Sequence, residues 1–274
     1  MTGDRIWPLA RRAVLLLFLL WCLFPLYWML VTALKKPVDV AAIPPLWVFT
    51  PTWTNFLSVW HNQAIWGYFS NSSIVAVGST LLSLAFGIPV AYVLARHRFR
   101  GRDDFDFWVL STRMAPPVAT LIPFFVLYKN LGLLDTHLGL IIVHVSMNLA
   151  IVIWVLKSFF AELPESLEEA AFVDGAAHWT AFTRVILPLS WPGIVSTGIL
   201  AFIFSWNEYL FALALTNYRA KTVPLGIQSS FIGYQEIRWG ELAASSIFML
   251  IPVLIVVLLF QRQLIRGLTF GAVK

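Results

Sequence analysis

The sequence predicts an all-α, polytopic membrane protein with six transmembrane helices, and three observations predict it. Of 274 residues, 59% are hydrophobic and 12% charged, whereas an ordinary soluble domain carries about 25% charge. A water-soluble surface, on the order of 25–35% charged residues, cannot be drawn from such a chain. Six stretches reach the about 20 apolar residues needed to cross a hydrocarbon core. These runs also lack the period-2 alternation of a membrane β-barrel. The same composition excludes intrinsic disorder. A single cysteine, Cys22, excludes a disulfide scaffold, and its apolar surroundings predict an inert, buried thiol.

The predicted spans are 13–34, 73–95, 105–128, 138–160, 194–216 and 242–260, within a single transmembrane domain over 1–274. The first ends in Val31-Thr32-Ala33, which resembles a signal-peptide cleavage site. Its apolar run exceeds a 7–15-residue signal core, and Trp21, Tyr27 and Trp28 suit an interfacial belt, so a retained span is expected. The outer loop 35–72 carries Pro44-Pro45, Pro51 and four tryptophans, and reads as irregular structure with short surface helices. The third span is interrupted by Arg113 and bent by Pro116-Pro117. Segment 217–241 reads like the first outer loop, but more polar.

Lysine and arginine placement orients the bundle. With the N-terminus inside, the inner segments hold twelve of the 19 basic residues, the outer ones six, and Arg113 lies within a span. Six spans then leave both termini cytoplasmic. The net charge of +5 is thereby a topology signal and not a nucleic-acid footprint.

The inner segment 161–190 carries the chemistry. Pro164 and the acidic residues Glu165, Glu168 and Glu169 suit a helix start. Gly175 suits the left-handed residue that ends it, and a second helix is expected from about Ala177 to near Pro188. Leu163, Leu167, Ala170, Ala171 and Asp174 share one face. Read locally, Ser166-x-x-Glu169 is equally a capping box, in which Glu169 satisfies a backbone donor only.

Glu169-Ala170-Ala171, three residues, Gly175, nine residues, then Val185-Ile186-Leu187-Pro188 resembles the EAA loop of permease subunits of binding-protein-dependent ABC importers. Val185 stands where the family has isoleucine. Ser205-Trp206-Asn207-Glu208 and the tail from Gly267 to Lys274 resemble segments of the carbohydrate branch, in particular its smaller maltose-type subunit. The resemblance covers nearly the whole chain. It implies the type I importer permease (MetI-like) fold, in a multi-pass protein of the bacterial inner membrane, and a subunit that is not itself an enzyme. It implies a homologous second permease, two cytosolic ATP-binding subunits that use ATP and Mg, and an extracytoplasmic solute-binding protein. Glu168, Glu169, Ala170, Ala171, Asp174, Gly175, Leu187 and Pro188 are then the expected ATPase-coupling residues, and Gly267, Leu268, Thr269 and Gly271 a second ATPase contact. The implied cargo is a sugar or polyol.

This chain itself has no GxxxxGK[ST] loop, no HExxH and no Cys/His cluster, so no cofactor or metal is expected on it. Polar residues inside spans are costly and mark the candidate translocation path: Arg113, His144, Asn148, Asn207 and Glu208. Arg113 lies roughly 12 Å into its span and Glu208 roughly 21 Å into its own, at 1.5 Å per residue. Arg113 either snorkels to the interface or faces a cavity. His144 and Asn148, at i and i+4, either face substrate or bond between helices. Glu208 needs a partner or a water-filled path. A different class of function, a self-sufficient secondary transporter coupled to protons through Glu208, is the alternative. For a third, an intramembrane enzyme, no nucleophile–base pair is evident.

Overall fold

The computed structural model describes residues 3–234 and 236–269, with side chains described from 11 to 265. Its elements are α1 (Gly3–Leu34), α2 (Pro37–Val40), α3 (Thr54–His61), α4 (Gln63–Arg96), α5 (Arg102–Thr112), α6 (Pro117–Leu131) and α7 (His137–Glu162). There follow α8 (Ser166–Val173), α9 (His178–Ala181), a π-helical turn (Phe182–Ile186), α10 (Leu187–Leu189), α11 (Trp191–Trp206), α12 (Leu210–Leu215), α13 (Val223–Phe231) and α14 (Trp239–Thr269). Apart from one isolated bridge between Ile232 and Ile237, the described residues form no strand.

Among the described residues, four helices are long and apolar enough to cross a membrane, and two bent helix pairs make up to six spans. Both bends fall at prolines. Pro116 is extended, at φ −60° and ψ 125°, and Pro117 forbids helix at the residue before it, so α5 and α6 meet at 90°. The helical segment His178–Leu189 meets α11 at 72°, where Pro188 and Pro192 stand in the first turns of α10 and α11. The third predicted span is thus two helices around an elbow at Arg113. The fifth, predicted through 216, ends at Trp206 and resumes as α12. The second begins at Gln63, and its 34 residues give about 51 Å at 1.5 Å each, well beyond a core of about 30 Å.

The chain forms two compact units. In the first, residues 1–65 and 227–251, the side-chain amide of Asn55 on α3 donates to the carbonyls of Ala33 and Lys35, at 2.8 Å each, and so ties α3 to the end of α1. Gly240 allows this, since a Cβ there would meet the Asn55 side chain. Lys35, only 3% exposed, lies over the rings of Trp28 and Phe49, 5.2 Å from each centroid. Cys22 departs from the buried thiol expected of it: it is exposed, on a helix whose residues 14–26 present apolar side chains outward. An apolar run does not imply burial in protein when lipid is the solvent.

The second unit, residues 66–226 and 252–274, holds the rest of the core. Leu94 of α4, Leu156 and Phe160 of α7, Ile186 and Ala201 pack there, all 1% exposed or less. Small residues bring the helices together: a Cβ on Gly193 would sit 2.6 Å from the Phe159 ring, and one on Gly87 2.5 Å from Val152.

Candidate functional sites in the loop and the bundle

The loop after α7 is built around a short exposed helix. Glu165 is the N-cap residue of α8, and no side chain caps that end. The capping box does not form, because Ser166 is already in the helix. At the other end Gly175 has φ +85°. The N–H of Ala176 donates to the Ala171 carbonyl at 2.9 Å, and that of Gly175 to Phe172 at 3.0 Å. This pairing is the Schellman motif. No atom lies within 4 Å of a Cβ built on Gly175, so backbone conformation, not space, requires glycine there.

The expected coupling residues divide in two. Glu169, Ala170, Asp174 and Pro188 are exposed and Ala171 is half-buried, and Glu169 makes no ion pair among the described residues. Leu187 packs against the core. Glu168 faces inward instead. Its carboxylate lies 2.7 Å from Arg96 Nε and accepts a 3.0 Å hydrogen bond from the Tyr92 hydroxyl. Consecutive helical residues point about 100° apart, so Glu168 can be held inside while Glu169 faces out. Of the expected tail contact, Gly271 lies outside the described residues, as do the side chains of Leu268 and Thr269. Gly267 lies in the last helical turns of α14.

The polar residues of the bundle converge. Arg113, His144, Asn148 and Glu208 line one small cavity of about 80 Å³ with Met147, Phe204 and Ser205. His144 Nε2 lies 3.4 Å from Glu208 Oε2, with the two side chains 1% and 10% exposed. Glu208 stands in the break between α11 and α12, not within a continuous helix. Its two carboxylate oxygens accept from the Phe211 and Ala212 N–H groups, at 2.8 and 3.1 Å, and so satisfy otherwise unpaired donors at the start of α12. Asn148 donates to Ser205 Oγ at 2.8 Å, which in turn meets Ser79 Oγ at 2.8 Å. These are bonds between helices.

Arg113 donates to the Met147 carbonyl at 3.0 Å, and its guanidinium lies 5.3 Å from the Phe204 ring centroid. It also lines a cavity of about 510 Å³ at the α5–α6 elbow, with Trp108, Thr112, Thr120, Ser146 and Phe211. Asn207 stays apart: it is exposed and donates to its own helix at Ile203.

Residues 87–270, a stretch that holds the whole loop and most of this cluster, match the family described as binding-protein-dependent transport system inner membrane component. The chain belongs to that family. It is a multi-pass membrane protein, a permease subunit of an ABC importer and not an enzyme. This membership bears out the importer reading of the sequence and sets aside its alternative, the self-sufficient secondary transporter.

The trehalose/maltose transport system permease protein MalG of Thermococcus litoralis is 37% identical over 92% of each chain. The diacetylchitobiose uptake system permease protein DasC of Streptomyces coelicolor is 36% identical, over 99% of this permease and 98% of that protein. Among solved structures, a chain of a bacterial ABC transporter involved in the import of the acidic polysaccharide alginate superposes with a TM-score of 0.79. It is 25% identical and covers 96% of this permease and 98% of that chain. The fold is accordingly that of the type I importer permeases.

Sequence reasoning missed three features of this permease. Arg96 and Tyr92 are the partners of Glu168, and no local pattern marks them. The helix break at Glu208 carries neither glycine nor proline. The third is Asp135, whose carboxylate accepts the backbone N–H groups of Asn217, Tyr218, Arg219 and Ala220 at 3.0–3.2 Å. Burial pushes this carboxyl up, and the four donors outweigh burial and hold it below the ordinary aspartate range.

Proposed function

We propose that this permease imports a sugar or polyol. It pairs with a homologous second permease to frame the path, receives its cargo from an extracytoplasmic solute-binding protein, and is driven by two cytosolic subunits that hydrolyse ATP with Mg. One observation carries the cargo class: relatives matched over nearly the full length are named for trehalose/maltose and diacetylchitobiose uptake. Both termini lie in the cytoplasm, as the basic residues favour.

The ATP-binding subunits dock on α8. Glu169 offers an unpaired carboxylate to a basic residue of the ATPase, Ala170 and Ala171 admit close approach, and Gly175 ends the helix so that it stands free. Closure of the ATPase dimer displaces this helix, and rigid-body motion of the spans switches the path between inward and outward access. In the tail, Gly267, Leu268, Thr269 and Gly271 give a second ATPase contact. Arg113 faces the path from the elbow cavity. His144, Asn148 and Glu208 support it as bonds between spans, and Asn207 borders it from an exposed position.

Two measurements test the reading. The cognate binding protein, titrated with a panel of mono- and oligosaccharides, polyols, amino acids and peptides, is expected to respond to a sugar or polyol alone; an amino-acid or peptide ligand refutes the cargo class. Glu169→Lys is expected to abolish uptake and strip the ATPase from the purified complex, since removing one partner of a desolvated ion pair costs about 3–5 kcal/mol. Wild-type uptake with normal ATPase association refutes the docking role.

A further inference from the structure

We propose that Arg96 is a positioning residue for transport: it fastens α8 to the last turn of α4, so that displacement of α8 by an ATPase is carried into α4. The inference rests on the reading of α8 as the docking helix.

The contacts converge from one helical turn. Arg96 and Tyr92 are i and i−4 on α4, hence on one face. Arg96 Nε lies 2.7 Å from the Glu168 carboxylate, with the two side chains 6% and 11% exposed, and the Tyr92 hydroxyl donates to the same carboxylate at 3.0 Å. Arg96 Nη2 also donates to the Leu163 carbonyl at 2.7 Å, where the chain enters the loop. Beyond α8, the Tyr92 ring lies 4.5 Å from that of Phe182 in the π-helical turn, and 5.8 Å from Phe160 near the end of α7. One turn of α4 therefore grips the loop at its entry, its helix and its exit.

An ion pair is a poor way to gain bulk stability here, because desolvation offsets much of the attraction and apolar residues of similar volume pack as well. It differs from apolar packing in direction. The Nη2 hydrogen bond to Leu163 aims the guanidinium fork, and the ion pair through Nε and the hydrogen bond from Tyr92 hold the two oxygens of one carboxylate, which restricts its orientation. Holding Glu168 inward makes α8 and α4 move together when α8 is pushed. Apolar side chains alone would let that short helix roll.

The test uses the complete transporter, with its second permease, ATPases and binding protein, reconstituted in liposomes. In Arg96→Gln the ATPase is expected to remain associated, while binding-protein-stimulated ATP hydrolysis and uptake fall about tenfold or more, within the range of couplings between separate sites. Arg96→Lys, which keeps the charge and loses the fork, is expected to fall less. A second measurement does not depend on how well Arg96→Gln assembles. In a Cys22→Ser background, Arg96→Cys with Glu168→Cys is expected to be uncoupled, and joining the two thiols with a short bis-maleimide to restore stimulated hydrolysis. Wild-type stimulation in Arg96→Gln, or no recovery on cross-linking, overturns the proposal. Failure of the docking-helix reading is separate: Glu169→Lys would then keep its ATPase, whereas failure of this inference alone leaves Glu169→Lys defective and Arg96→Gln normal.

Discussion

His144 on α7 and Glu208 in the break after α11 form a buried pair at 3.4 Å, and the same carboxylate holds the first free N–H groups of α12. One side chain thus joins two spans and caps a helix. Its removal is expected to act on stability before transport. Glu208→Ala should destabilise the purified permease by at least about 1 kcal/mol, the worth of a cap alone. Asn207→Ala, at the exposed neighbouring position, should stay within about 0.5 kcal/mol. Thermal melts in detergent measure both. In Glu208→Gln, uptake per folded molecule is expected to be near normal; strongly altered uptake at wild-type stability would give Glu208 a direct place on the path.

Gly175 tests backbone conformation apart from packing. At φ +85° with open space around it, Gly175→Ala should cost about 1–2 kcal/mol of left-handed strain, and Gly175→Asn less. Gly175→Val should be worse than either, since β-branching adds to the strain. Association of the ATPase, measured by co-purification, is expected to follow the order Gly, Asn, Ala, Val.

Asp135 predicts an acid-sensitive loop at residues 217–220. Its folded carboxyl lies below the unfolded value of about 3.8, so its contribution is complete above that value and lost as pH falls through the folded one. The protection of the 217–220 amides, measured against the exchange rate of an unprotected amide at the same pH, should therefore be high at neutral pH and fall only in strongly acidic buffer. Asp135→Ala should show low protection at every pH, and equal protection in wild type and variant would remove the clamp.

Topology gives a fourth test. With Cys22 replaced, a cysteine at Gln63 should label with an impermeant maleimide from outside, and cysteines at Arg100 and Glu165 only after the membrane is opened. External labelling at Glu165 would place α8 on the face opposite to any cytosolic ATPase.

What could be read without coordinates follows from the range of each interaction. The apolar runs locate their helices because span length and hydropathy are local, and Pro116-Pro117 announces its elbow. Gly175 is legible for the same reason: a left-handed residue has a local sequence preference. The start of α4 at Gln63 is not, since Ser70, Asn71, Ser72 and Ser73 interrupt the apolar run while the helix continues through them. The break at residues 207–209 is hidden too, because Glu208 substitutes a side-chain carboxylate for the turn residues that usually mark such a site. Arg96 with Glu168 and Asp135 with the N–H groups of 217–220 are tertiary pairs. Sequence names Glu168 of the first pair and is silent on Arg96 and on both partners of the second.

The π-helical turn at Phe182–Ile186 makes the length of the loop a mechanical constant. Its i→i+5 bonding admits one more residue than an α-helical turn would, and α11 follows within a few residues. Deleting one residue from the α-helical turns that flank it would rotate α11 by about 100° and carry Gly193 and Gly198 away from Phe159 and Leu84, the side chains they now accommodate. The count of residues between Gly175 and Pro188 behaves like the tooth count of a gear. Many side chains along it can be exchanged, but a single insertion or deletion puts the loop and the bundle out of phase.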